Sequence, residues 1–259
     1  MKTALITGAS SGIGWEMAKI LARQNYDVIL VARREEKLRE LETLLEKQVG
    51  VTVLPLDLST AGAAQRLFEA VGNRPIDLLI NNAGFADYAL LADASRAKIS
   101  AMMQVNIVAL TEITQLFLPP MIERGSGQVL NVGSIAGFFP GPLMGVYYAT
   151  KAYVLSFSEA LGNEVAGTGV TVTCLCPGAT TSEFQERARM RESKLMDAAY
   201  MSAQKVARRG IRAAQRGQRL CVPGLFNRFL IQVPRVVPRG AMTDFMRRIQ
   251  AKIPTHSAK

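Results

Sequence analysis

The chain has 259 residues, 49% hydrophobic and 20% charged, which suits one α/β domain with a sizeable buried core, although the length alone also accommodates two domains. Three cysteines, an odd number, exclude a disulfide framework, and the single His256 excludes a histidine-dependent triad or a His-rich metal site, so no metal is expected. The formal net charge of +10 is uneven: residues 1–182 carry 14 Lys and Arg against 16 Asp and Glu, and residues 183–259 carry 17 against 5.

The first element, KTALIT near 2–7, reads as a strand and is followed by a glycine turn and the amphipathic helix WEMAKILAR. A strand beginning this early leaves no room for a signal peptide, and no unbroken run of eighteen uncharged apolar residues suggests a membrane span, so a cytoplasmic protein is expected. Gly8, Gly12 and Gly14 are spaced GxxxGxG, which differs from the usual GxGxxG. The loop they shape, Gly8, Ser10, Ser11, Gly12, Ile13 and Gly14, brings backbone N–H groups to a helix N-terminus, where a diphosphate binds. The second strand, YDVILVA, ends in Ala32-Arg33-Arg34. No acid stands there to bond a ribose 2′-hydroxyl; Arg33 instead offers a planar cation to a 2′-phosphate, which selects NADP(H) over NAD. Arg34 reads as the solvated start of the charged helix EEKLRELETLLEKQ.

Further strands are expected near 51–56, 76–81, 127–133, 169–176 and 218–222, with helical patterns between them. Apolar runs such as VILVA and DLLI fit parallel strands buried on both faces. The alternation implies a three-layer, doubly wound parallel sheet of Rossmann type with about seven strands, forming a single domain over 1–259. The cofactor should lie at the C-terminal strand ends, where Asn81, Ser134 and Gly178 fall.

Tyr147 and Lys151 are four residues apart in VYYATKAYVLSFSEAL, a helical pattern that sets them on one face. An ammonium there favours the phenolate and lowers its pKa from about 10 toward neutral. Ser134, thirteen residues upstream, ends an apolar strand and can bond a substrate oxygen. Each has a plainer reading: Ser134 as a helix cap, Asn106 as a satisfied helical amide, NNAG as a turn. Cys174 and Cys176 alternate on GVTVTCLC and read as core.

Taken together, TGASSGIG (7–14), Asp57-Leu58, NNAG (81–84), Asn106, Ser134, YxxxK (147–151) and Pro177-Gly178 resemble the classical short-chain dehydrogenase/reductase family, from about residue 3 to residue 182. The resemblance implies Tyr147 as general acid/base, Lys151 lowering its pKa and bonding the nicotinamide ribose, Ser134 orienting the substrate carbonyl, and Asn106 holding a water in a proton relay. It implies Asp57 and Leu58 at the adenine, Asn81, Ala83 and Gly84 along the riboses, and Pro177, Gly178 and Thr180 at the nicotinamide. Ser182 stands where the family more often has Thr beside the pyrophosphate. The family commonly forms homodimers or homotetramers through helices near 98–122 and 147–166.

The C-terminal third begins with the stretch where the family places a substrate lid, about 182–201, carrying Phe184, Met190, Leu195, Met196 and Tyr200. A helix over 202–217 sets Lys205, Arg208, Arg209, Arg212 and Arg216 along one side. The extension 224–259 mixes large apolar residues with arginines, and Met242, Phe245, Met246, Ile249 and Ile253 recur at helical spacing. Such a helix either packs on its own domain or a sister subunit, the reading favoured here, or makes a weak membrane-surface contact through its basic side. No nucleic-acid binding is expected, since the basic region lacks a recognised module and only 7% of the chain is aromatic.

With Phe138, Phe139, Leu143 and Met144 after Ser134, the lid composition points to an apolar carbonyl or alcohol substrate. The expected activity is NADP-dependent reduction of a ketone or aldehyde, or the reverse. One alternative is reduction of a 3-oxoacyl thioester in lipid metabolism. Another, of a different class, is a non-catalytic NADP-sensing membrane-surface or scaffold protein.

Overall fold

The computed structural model of the chain describes residues 1–181 and 201–250. Seven parallel strands form one sheet: β1 Lys2–Thr7, β2 Tyr26–Ala32, β3 Val51–Pro55, β4 Leu78–Asn81, β5 Gly127–Val132, β6 Val170–Leu175 and a short ninth strand, β9 Leu220–Cys221, in the order β3-β2-β1-β4-β5-β6-β9. The order reverses between β1 and β4, so the connections leaving these two strands diverge and open a crevice at their C-terminal ends.

Both faces of the sheet are covered, and the strand sequences show how. Along β1, Ala4 and Ile6 face one layer and Leu5 the other; β2 divides Val28 and Leu30 from Ile29 and Val31 in the same way. On the first face lie α1 Gly12–Ala22, α2 Glu35–Leu45 and α7 Ala203–Gln215, contributing Met17, Leu21, Leu38, Leu41, Val206 and Ile211. On the second lie α3 Ala63–Val71, α5 Leu110–Glu123 and α6 Gly145–Glu164, contributing Leu67, Ile113, Phe117 and Leu161. Leu5, Leu30 and Leu79 are wholly buried. Cutting any of them back to Ala removes contacts worth about 2–5 kcal/mol.

A third apolar cluster caps the C-terminal strand ends. It joins Tyr88, Phe139, Met144, Tyr147 and Tyr148 to Ile231, just after α8 Leu225–Leu230, and to Met242 and Met246 of α9 Arg239–Gln250. Met242 and Met246 of the C-terminal apolar stripe therefore pack on their own chain, while Phe245 stays half exposed. Ile253 and the rest of 251–259 lie outside the described residues.

The elements differ from the sequence reading in three places. First, two-residue strands β7 Thr180–Thr181 and β8 Met201–Ser202 pair in parallel beside the main sheet. Second, α4 Arg96–Met103 and α5 are joined by a π-helical turn, Gln104–Ala109, rather than by continuous α-helix. Third, the helical run Arg96–Glu123 is long and apolar enough to cross a membrane by length and composition, with a mean hydropathy of 1.4 over its most apolar window. Part of its apolar side is used internally, where Ile113, Phe117 and Met121 pack beneath the sheet.

Candidate active site

The crevice at the strand ends is a cleft of about 1060 Å³. Its floor begins at the loop after β1. Gly8 has φ +68, and a Cβ there would come within 2.8 Å of Asn82 Nδ2 and 2.9 Å of Ala83 Cα. A Cβ on Gly14 would stand 2.5 Å from the Gly8 carbonyl oxygen. The sequence is thus forced to glycine where two backbone segments meet. The same meeting leaves Ser10, Ser11, Gly12 and Ile13 lining the cleft at the N-terminus of α1. That terminus presents unpaired N–H groups and the positive end of the helix dipole, the donor set that suits a diphosphate.

The NNAG segment leaves β4 opposite this loop, and its two asparagines do different things. Asn82 donates through Nδ2 to the carbonyls of Thr7 (3.0 Å) and Gly8 (3.1 Å), tying the two loops together, and it lines the cleft with Ala83 and Gly84. Asn81, expected along the riboses, instead points its side chain into the core. It is 2% exposed and donates to Thr114 Oγ1 (2.9 Å) and Asn131 Oδ1 (3.0 Å); Asn131 in turn donates to Ser158 Oγ (3.0 Å). The cause is strand alternation: Asn81 is the last residue of β4, paired in register with Asn131 of β5, and its side chain sits inside the sheet layer.

At the far side of the loop, Arg33 is exposed on the cleft wall. Arg34 is not the free helix start expected of it: it donates to the Ser10 carbonyl (3.1 Å) and to Ser10 Oγ (3.3 Å) and also lines the cleft. Two cations therefore stand where β2 ends. Asp57 lies nearby. Burial works to raise its carboxyl, but the Ser59 N–H (2.9 Å), the Ser59 hydroxyl (2.7 Å) and the charge of Arg33 together hold it below the usual carboxylate range. Leu58 is buried beside it at the cleft edge.

Deeper in the cleft, Ser134 follows β5. Its hydroxyl accepts from the Ala136 N–H (3.1 Å), capping a 3₁₀ turn at Ile135–Phe138, and its nearness to Tyr147 works to lower the pKa of that phenol. The capping reading of Ser134 is realised, and the residue lines the cleft. Tyr147 and Lys151 share a face of α6, with Lys151 Nζ 5.9 Å from the centre of the Tyr147 ring. Lys151 is 5% exposed and donates to the Val132 carbonyl (2.8 Å). The expected lowering of the Tyr147 pKa is reversed here. Burial pushes Tyr147 up to about 12, against the downward pull of Ser134. Burial likewise pushes Lys151 down to about 8, against the upward pull of the Cys174 and Cys176 thiols behind it. Removal from water is the largest cause of both shifts.

Asn106 occupies the π-helical turn. Its amide is engaged on both sides, donating to the Phe85 carbonyl (3.0 Å) and Thr150 Oγ1 (3.0 Å) and accepting from the Phe85 N–H (3.1 Å). Thr150 Oγ1 donates onward to the Tyr147 carbonyl (2.7 Å). A Cβ on Gly84 would lie 3.1 Å from Asn106 Oδ1 and 3.5 Å from Lys151 Nζ, so these three residues meet at one point. Pro177, Gly178 and Thr180 line the cleft after β6; Ser182 lies outside the described residues.

The outer chamber is largely apolar. Phe85, Ala101, Val105, Phe139 and Met144 form one wall; Phe226, Leu230, Met242, Phe245, Met246 and Ile249 form the other. Phe184, Met190, Leu195, Met196 and Tyr200 fall outside the described residues. Lys98 also reaches the chamber, paired with Asp87 at 2.5 Å. Sequence reading missed Asn227, against which a Cβ on Gly178 would collide at 2.6 Å, and Gln250. Gln250 is fully buried; its Nε2 donates to Tyr148 Oη (2.5 Å), and its carbonyl accepts from Tyr88 (2.6 Å). Helical spacing flagged the neighbours of Gln250, but a lone polar residue on that stripe carries no signal of its distant partners.

A family model described as short chain dehydrogenase matches residues 2–193. The ketoacyl reductase HetN of a Nostoc species is 36% identical over 182 residues, covering 68% of this chain and 63% of the relative, so the match spans less than two thirds of that protein. Sulfoacetaldehyde reductase 2 of Chromohalobacter salexigens is 39% identical over 184 residues, 70% of this chain and 73% of that one. Among solved structures, a short-chain dehydrogenase from Sphingobium yanoikuyae in complex with NADPH superposes over 100% of both chains with a TM-score of 0.82 at 29% identity.

Proposed function

Since the chain belongs to the short-chain dehydrogenase family, we propose that this oxidoreductase is an NADP-dependent carbonyl reductase acting on an apolar ketone or aldehyde, or on the corresponding alcohol in reverse. The observation that carries this reading is the convergence of Ser134, Tyr147, Lys151 and Asn106 at the inner end of an apolar chamber that opens beside a glycine loop.

The residues of the cleft fit a dinucleotide. The N–H groups at the start of α1 suit its diphosphate, and Arg33 with Arg34 suits a 2′-phosphate, the charge a carboxylate at that position would repel. Asp57, Leu58, Ala83 and Gly84 would line the adenosine and ribose path, and Pro177, Gly178 and Thr180 the nicotinamide end. The NADPH complex of the Sphingobium relative supports the same choice of cofactor. When bound, NADPH supplies the hydride.

The chain supplies orientation and the proton. Ser134 holds the substrate oxygen, and Tyr147 gives that oxygen its proton. With its pKa near 12, Tyr147 is protonated at neutral pH and ready to act as an acid toward a carbonyl. Lys151 is charged below about pH 8, and its ammonium steadies the phenolate that forms. Asn106 fixes the Phe85 backbone and Thr150, and through Thr150 the helical turn bearing Tyr147. The apolar walls exclude water and select the substrate. A homodimer or homotetramer belongs to this reading by family.

Reduction of a 3-oxoacyl thioester is a second reading, favoured by the Nostoc ketoacyl reductase. NADPH consumption across a panel of apolar ketones, aldehydes and a 3-oxoacyl thioester separates the two. Tyr147→Phe is expected to abolish turnover, by about 10²-fold or more, while NADPH affinity stays near wild type. A variant that keeps near wild-type turnover overturns the assignment of Tyr147. Arg33→Asp is expected to reverse the preference from NADPH to NADH, read as two dissociation constants. A wild type that binds both cofactors equally overturns the cofactor reading.

A further inference from the structure

We propose that the face of α8 at the mouth of the cleft docks on an anionic lipid bilayer. Leu225, Phe226 and Phe229 are 82%, 73% and 70% exposed, and Val236, just beyond, is 83% exposed. Leu225 and Phe229 are one helical turn apart and share a side. This is a surface where most large apolar side chains would be hidden, on a chain with an ample interior to hide them in.

The charge around these residues identifies the partner. Residues 224–250 contain five arginines and one acid, Asp244. Arg228 stands between Phe226 and Phe229, and Arg235 precedes Val236; both are exposed, as are Arg239 and Arg248. None of these arginines forms an ion pair among the described residues. A second copy of this chain would bring the same five arginines and single acid to the contact, so that like charges would face each other across it. Aromatic and aliphatic side chains interleaved with arginine match the boundary between acyl chains and anionic headgroups.

This surface is distinct from the stripe that helical spacing singles out. Met242 and Met246 of α9 are buried and cannot enter a membrane. The docking side chains come from the short helix before it. Phe226 and Phe245 both line the cleft, so the apolar surface outside runs into the apolar chamber inside. On the reading that the cleft takes an apolar carbonyl, a membrane-dissolved substrate would pass from the acyl layer into the chamber without crossing water.

The test is co-sedimentation of the full chain with vesicles of phosphatidylcholine alone or mixed with phosphatidylglycerol, at low and high salt. The wild type is expected to pellet with the anionic vesicles at low salt, and to stay in solution with neutral vesicles or at high salt. A Leu225→Ser/Phe229→Ser double variant is expected to lose binding about tenfold or more, with an unchanged native mass and unchanged turnover of a water-soluble carbonyl, because neither residue lines the cleft. Arg235→Gln/Arg239→Gln is expected to weaken binding and flatten its salt dependence. A wild type that ignores anionic vesicles, or a double variant that binds as the wild type does, overturns the proposal. A double variant of smaller native mass overturns it too, and assigns the face to contact between copies of this chain. Vesicle binding is read without turnover, so a protein that binds membranes but reduces no carbonyl refutes the proposed activity and leaves the docking face standing.

Discussion

Tyr147 and Lys151 are each buried against their own charged form, and the two burdens have opposite signs in pH. Lys151 titrates near 8 when folded, against an ordinary 10.5. Between these values the unfolded chain binds more protons, so this group's contribution to stability rises with pH and is lost as pH falls through about 8. Tyr147 titrates near 12 when folded, against an ordinary 10. Its contribution is complete below about 10 and is lost as pH climbs toward 12. Denaturant melts of the cofactor-free protein are therefore expected to show a rise between pH 8 and 10.5 that Lys151→Met flattens. A variant that keeps the wild-type slope would show that Lys151 does not produce it. At this scale the sequence was informative about residue type and spacing. The glycine loop, the YxxxK pair and the strand-end serine were all legible, because each rests on local geometry. The difference between Asn81 and Asn82 was not, because two identical adjacent residues part company only at the last pleat of β4. Nor was the direction of the Tyr147 shift, since spacing reveals the partner charge but not the depth of burial.

At the scale of elements, the 3₁₀ turn carrying Ser134 rests directly on α6. A Cβ on Gly137 would stand 2.6 Å from the Lys151 carbonyl oxygen, so only glycine lets the turn approach the helix this closely. Gly137→Ala is expected to push Ser134 away from Tyr147, costing about 1–3 kcal/mol of stability and a larger share of turnover than of NADPH affinity. Equal losses in turnover and affinity would show a general collapse rather than a displaced serine. The long elements were legible from alternation and helical spacing, since each offers several repeats. The pair β7 and β8 was not, because two residues carry no period. The π-helical turn at 104–109 was also hidden: its extra residue per turn leaves the apolar pattern of the flanking helices intact while rotating Asn106 onto Phe85 and Thr150.

Across the whole molecule, the near-neutral first part carries the floor of the cleft and the basic last part supplies its outer wall. Met242, Met246 and Gln250 are buried, and Gln250 is held by tyrosines from two distant segments, Tyr88 and Tyr148. Removing residues 239–259 is expected to lower the melting temperature by about 5 °C or more and to raise KM for apolar carbonyls more than for small polar ones. An unchanged melting temperature would show that α9 contributes no stability. The seven-stranded architecture followed from the order of patterns along the chain. The return of the C-terminus to the cleft did not, because it depends on contacts such as Tyr148 with Gln250, made across more than a hundred residues of sequence. One further consequence follows from the smallest sheet. Thr180 pairs with Met201 and Thr181 with Ser202, and the Met201 N–H is held by the Ala179 carbonyl at 3.1 Å. Paired strands lie about 4.8 Å apart, so the chain leaves the framework at 181 and rejoins it at 201 almost where it left. The two short strands are thereby a clasp that ties the chain leaving β6 to the start of α7 at the edge of the cleft.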